Sequence, residues 1–139
     1  MTINYRTMTL SDYQSVYDLW KSTPGIGLSD ADSREGIEKF LKANPGRCFV
    51  ALEADKLVGA IMCGCDGRRG YLHHLAVRPD LRGQGIGRQL VEECMAALRA
   101  IGIDKAHIFV YKHNEVGKVF WRNSGWQERD DLMIMSRDM

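Results

Sequence analysis

The stretch LAVRPDLRGQGIGRQLVEE, residues 75–93, constrains the fold more than any other part of the chain. An apolar run stops at Arg78-Pro79, glycines follow at 83, 85 and 87, and a helical repeat of apolar residues begins. Strand, glycine loop and helix in immediate succession describe one strand–helix crossover. A helix start leaves about four backbone N–H groups unpaired and carries roughly half a positive charge. Glycines there remove the Cβ atoms that would keep an anion from those N–H groups. Between residues 67 and 91, Arg68, Arg69, Arg78, Arg82 and Arg88 face only Asp80. A local cationic excess of this kind suits a pyrophosphate or phosphomonoester, although a tight strand-to-helix turn without any ligand would need the same glycines.

The rest of the chain supplies a setting for that crossover. Residues 3–10 read as a strand. Ser11, with Gln14 three positions on, is a capping pattern for a helix whose Tyr13, Val16, Tyr17 and Trp20 form one buried stripe. A loop, STPGIGLSDAD, leads to a second helix capped by Asp32 or Ser33, with Ile37, Phe40 and Leu41 inward and Asn44-Pro45-Gly46 as its stop. Cys48–Leu52 and Leu57–Cys65 read as strands joined by a turn at Asp55-Lys56, and DGRRG turns into a strand at Tyr71–Val77. The long helix runs from about Gly85 to Ile101. A strand at 106–111, a helix capped by Asn114 and a final strand at 132–136 follow. The order β-α-α-β-β-β-α-β-α-β specifies an α/β fold: one mixed sheet with helices on both faces, in a single domain spanning 1–139.

Composition excludes several classes. A length of 139 residues and 45% apolar residues support one packed core without staples. The net charge of +1 gives no global field towards nucleic acid or membrane, so neither is expected as a partner. The longest uncharged run, Leu57–Cys65, falls far short of the ~20 residues of a membrane span. The first residues show no secretion signal, and the four cysteines form no CxxC pair, which suits reduced thiols in a cytoplasmic protein. The glycines do not fit a P-loop, because no Lys-Ser or Lys-Thr follows them. A dinucleotide GxGxxG fails too, since its third glycine would fall on Leu90 or Arg88.

Two segments carry a resemblance. HLAVRPDLRGQGIGRQLVEE resembles the acyl-CoA-binding motif of the GCN5-related N-acetyltransferases, R/Q-x-x-G-x-G/A, through Arg82, Gly85 and Gly87. NEVGKVFWRNSGW, residues 114–126, is similar to the family's second motif, and the order of elements fits its fold, a central splayed β-sheet with helices on both faces. The resemblance implies acetyl transfer from acetyl-CoA to a primary amine by direct attack. It also implies a slot in which the pantetheine arm pairs with backbone groups of Leu75, Ala76 and Val77. The pyrophosphate would lie on the N–H groups of Arg82, Gly83, Gln84, Gly85, Ile86, Gly87 and Arg88. Asn114 would reach the pantetheine, or serve only as a helix cap. Trp121 would line the slot, or be core. The alternative is an acyl-CoA-binding module with weak or no catalysis.

The implied reaction needs a base, because an amine with a pKa near ~10.4 is protonated at neutral pH. His73 and His74 are the candidates on the strand before the glycines. Strand alternation points adjacent residues to opposite faces, so only one can face the slot. The family position falls on His73; a histidine bonded to a neighbour is its bland alternative, and His74 is expected on the helix-covered face. The family's usual tyrosine acid is replaced by Trp121, whose indole donates no proton at neutral pH. Cys63, Cys65 and His73 make a zinc group of too few ligands, so no metal is expected. Acidic residues of the loop and second-helix start, Asp30, Asp32 and Glu35, suit a cationic acceptor or a helix start equally. The acceptor is a small-molecule amine or a peptide or protein amine, and a homodimer is left open.

Overall fold

The computed structural model describes residues 2–139. They form two compact units, one extending through Phe109 and the other Val110–Met139. The first unit holds a five-stranded sheet in the order β1-β2-β3-β4-β5, with β1 Ile3–Thr7, β2 Phe49–Glu53, β3 Lys56–Cys65, β4 Gly70–Val77 and β5 Ala106–Ile108. The first four strands pair antiparallel; β4 and β5 pair parallel across the helix α3, Ile86–Ala100. Helices α1, Tyr13–Lys21, and α2, Arg34–Ala43, precede the central hairpins.

Strand β3 explains how the two layers attach. It is buried along nearly its whole length, so its two faces must both be apolar. Ala60 and Met62 belong to the face covered by α1 and α2, with Val16, Trp20 and Ile37 in the same cluster. Its neighbours in sequence, Gly59, Ile61 and Cys63, point the other way. A Cβ at Gly59 would touch Leu90 of α3, and the Cys63 thiol neighbours that of Cys94 on the same helix. The helix delivers Ile86, Leu90, Val91, Cys94 and Leu98 to this face. Ile101, which the repeat assigns to the same stripe, lies past the last turn and is half exposed. Burial pushes the Cys48 thiol up to about 11, so this thiol is a small hydrophobe rather than a nucleophile.

Local details differ from the sequence reading in four places. The first capping box sits earlier, at Thr9, whose N–H donates to Asp12 at 2.9 Å, while Gln14 turns instead to Asp18. The hairpin turn sits one residue early, on Ala54 and Asp55, whose φ values of 47° and 65° make the mirror-image turn that suits strand twist. The strand expected at 106–111 ends at Ile108. The tail at 132–136 forms no strand: Leu132–Met135 are exposed and no ladder takes them up. Four consecutive apolar residues carry no period-two pattern, so nothing in the tail itself selects a face. The second unit contains α4, Glu115–Asn123, with no buried residue.

Asp12 also ties β1 to α1. Both its oxygens accept from Arg6 at 2.8 Å, and these bonds hold its carboxyl below the usual carboxylate range despite the opposing effect of burial. A depressed carboxyl adds stability above its unfolded pKa and loses that stability as pH falls through its folded value. Asp12→Asn is therefore expected to cost about 1–3 kcal/mol at pH 7 and much less below pH ~3. Urea midpoints at the two pH values check this.

Candidate active site

The functional geometry follows from one irregularity in β4. Ala60 faces Ala76 and Met62 faces His73, so Ile61 alone opposes the two residues His74 and Leu75. This is a β-bulge. His74 absorbs it with φ at 52°, the left-handed region that a non-glycine residue enters only at a cost of about 1–3 kcal/mol. Its carbonyl, turned out of the ladder, accepts the indole N–H of fully buried Trp20 at 3.0 Å.

The bulge changes which side chains meet. Three residues apart, His73 and Ala76 would face opposite sides of a regular strand. With the extra residue, both lie on the α1/α2 face, opposite Met62 and Ala60 of its core cluster. The ring of His73 stands edge-on to Phe40 of α2 at 5.9 Å and lies 6.2 Å from that of Phe109. The ring of His74 packs on Trp20 at 4.9 Å, and its Nε2 is 2.9 Å from Asp32 Oδ1. Simple alternation is thus overturned: both imidazoles belong to the α1/α2 side. Burial, then the neighbouring His74, holds the His73 pKa below the ordinary imidazole value, against an opposing pull from Asp32.

A second feature is the shortness of the last ladder. The parallel ladder of β4 with β5 joins Gly70 to Ala106, Tyr71 to His107 and Leu72 to Ile108, and stops there. Beyond it β4 continues to Val77 with no ladder on that side. Leu75, Ala76 and Val77 therefore lie on β4 beyond the end of its ladder with β5. At the end of β4, Arg78 is held by both oxygens of Asp80, at 2.7 and 3.0 Å, which removes it from the cationic excess. Arg69 is likewise paired with Asp104. Arg82, Gly83, Gln84, Gly85 and Arg88 are exposed at the start of α3.

Gly83 and Gly85 have φ of 78° and 85°, and a Cβ at either would meet nothing within 4 Å. Their conformation explains the glycines, and the open space in front of them is what an anion needs. Gly85 is the cap of α3 and has no side chain to satisfy the first N–H groups of Ile86, Gly87 and Arg88. That combination fits a pyrophosphate on the helix start.

Asn114 caps α4, accepting the Gly117 N–H at 3.0 Å, and a Cβ at Gly117 would collide with this side chain. Trp121 packs edge-on against Phe120 and Trp126 at 5.0 and 5.1 Å. Cys63 faces α3 while His73 faces α2, which separates the zinc group considered from sequence. Ser33 caps α2, and Asp32 is committed to His74 and to the Ser29 N–H, leaving Asp30 and Glu35 exposed. Sequence reading missed the His74–Asp32 pair, because only the bulge brings 74 to the loop.

The model of the acetyltransferase (GNAT) family matches residues 13–126. The chain belongs to that family. An acetyltransferase of Yersinia enterocolitica is 30% identical over 132 residues, 95% of this chain and 93% of that protein. One of Pectobacterium atrosepticum is 33% identical over 110 residues, 79% and 77% of the two chains. Among solved structures, the PaiA N-acetyltransferase from Thermoplasma acidophilum in complex with coenzyme A superposes with a TM-score of 0.82 at 21% identity, covering 94% and 92%. The fold is that of the acyl-CoA N-acyltransferases, and the activity is acetyl transfer. Among the described residues no helix is long and apolar enough to cross a membrane.

The lowered His73 value has a direct check. In a 15N-edited titration, His73 is expected to protonate below the ordinary imidazole midpoint of ~6.5, and Phe40→Ala, which admits water to the ring, is expected to raise it.

Proposed function

We propose that this acetyltransferase moves the acetyl group of acetyl-CoA to a primary amine by direct attack. The observation that carries the reading is a helix start whose glycines leave its N–H groups open, next to a strand β4 that runs on past its ladder with β5, which ends at Leu72 and Ile108. The pantetheine arm would pair with the backbone of Leu75, Ala76 and Val77. The pyrophosphate would accept from the N–H groups of residues 82–88, with Arg82 and Arg88 as counter-charges. Asn114 and Trp121 enter on the family's second motif. Asn114 keeps its amide NH2 for a ligand while its oxygen caps α4.

His73 is the first proton acceptor of the site. Its neutral form is favoured by burial, so at pH 7 it is ready to take a proton from an ammonium group. The acceptor amine is unassigned. Acetyltransferases of this fold include one bound to an aminoglycoside-type bisubstrate analogue, one for glucosamine 6-phosphate and one complexed with a peptide. The exposed carboxylates Asp30 and Glu35 favour a cationic small molecule or a basic peptide N-terminus.

Thiol release from acetyl-CoA over a panel containing an aminoglycoside, glucosamine 6-phosphate, a polyamine and a free peptide N-terminus tests the reading. Turnover of at least one amine is expected; tight binding of acetyl-CoA with no turnover of any would favour a binding module. Gly85→Asp places a charge and a Cβ in the anion's path at a left-handed position, and is expected to weaken acetyl-CoA about 100-fold or more by calorimetry. Wild-type affinity in that variant would remove the loop from the donor site. His73→Ala is expected to lower kcat/KM by about 10²–10⁴-fold and to remove the acid limb of the pH profile.

A further inference from the structure

Asp32 is a buried carboxylate that the donor site does not explain. It is 4% exposed at the end of the loop before α2. Oδ1 faces His74 Nε2 at 2.9 Å, Oδ2 accepts the Ser29 N–H at 3.0 Å, and the Asp32 carbonyl accepts the Tyr13 hydroxyl at 2.7 Å. A carboxylate withdrawn from water is tolerated only when its oxygens are met by donors. The partner it meets is the strained residue of the bulge, whose side chain is still 21% exposed. A charged acceptor behind an imidazole, with the ring still reached by solvent, is the arrangement that orients a base.

We propose that His74, positioned by Asp32, is a second proton acceptor of the acetyl-transfer site, working beside His73. The inference rests on the functional reading above and adds to it a catalytic residue, His74, and a positioning residue, Asp32. An ionised carboxylate only accepts hydrogen bonds, so it holds the neutral ring with its proton on Nε2 and leaves the Nδ1 lone pair bare. Proton transfer to Nδ1 would leave the ring still facing that carboxylate. The groups facing His74 are Trp20 from α1, Asp32 from the loop and His73 from its own strand. Tyr13 bonds the Asp32 carbonyl, and Arg34 lies 6.0 Å from the Tyr13 ring.

Two acceptors match the stoichiometry. Acetylating an ammonium group removes two protons from one nitrogen. The nitrogen forms a bond to the thioester carbonyl carbon, the carbon–sulfur bond breaks, and the thiolate leaves with the electron pair. One proton passes to His73 and the other to Nδ1 of His74. Both return to solvent, from which the thiolate takes one up.

Two measurements decide the proposal. In long-range 1H–15N spectra of the labelled protein, the neutral His74 ring is expected to carry its proton on Nε2, and Asp32→Asn is expected to abolish that preference. A ring protonated on Nδ1 overturns the proposal, whether or not any amine is turned over. With the best amine of the panel, His74→Gln is expected to lower kcat about 100-fold or more while the KM for acetyl-CoA holds, and Asp32→Asn to lower it at least about tenfold. A His74→Gln enzyme within about twofold of wild type overturns the proposal. Acetyl-CoA affinity and thermal midpoint guard against misfolding, and should Asp32→Asn fail to fold, the wild-type spectra and His74→Gln decide. Absence of turnover with every amine counts against the functional reading instead, and the tautomer still judges His74.

Discussion

The hydrogen bond from the Trp20 indole to the His74 carbonyl holds the centre of this molecule together. It fixes a left-handed residue in the middle of β4, and that residue makes the bulge. The backbone cost, about 1–3 kcal/mol, is offset by the indole bond and by the Asp32 contact, each a paired group in a site nearly closed to water. From the bulge follow the shared face of His73, His74 and Ala76, the burial that keeps His73 neutral, and the anchoring of the loop before α2. The ladder to β5 ends on the same strand, one residue before His73. The proposed base and the proposed donor edge therefore lie within a few consecutive residues of one strand.

Much of this was legible in the sequence. The strand-to-helix turn at the glycines could be placed from spacing alone, because left-handed φ at Gly83 and Gly85 and a helix beginning at Ile86 are local demands, while its assignment to acyl-CoA came from the family resemblance. Layering was legible as well: Leu57–Cys65 reads as doubly buried, and its alternate residues do face α3 and α1/α2. What could not be read was non-local. A bulge is a mismatch between two strands, and neither His-His nor Leu-Ala-Val announces it. Alternation therefore assigned the two histidines to opposite faces, and the partner of Asp32, forty-two positions away, stayed hidden. The end of the β4–β5 ladder was reachable only through family resemblance.

Charge behaved similarly. Five arginines near the loop looked like a uniform anion site, but Arg78 and Arg69 are occupied by Asp80 and Asp104. Of the three others, Arg68 lies in the β3–β4 turn, and Arg82 and Arg88 are the ones that a phosphate could recruit beside the helix start. Counting charges locates a region; only the pairings identify which cations a ligand can use. The acidic loop teaches the same lesson with the opposite sign. Asp32 is consumed inside the protein, while Asp30 and Glu35 face solvent.

The central claim proposed is that acetyl-CoA lies along β4 beyond its ladder with β5 and on the start of α3. Amide hydrogen exchange with and without acetyl-CoA tests it most directly, because it reads the backbone groups held responsible for binding. The account requires protection concentrated at Leu75–Val77 and at residues 83–88, with the amides of β1 and β2 unchanged. Protection that avoids both segments, or that spreads evenly over the sheet, would contradict it.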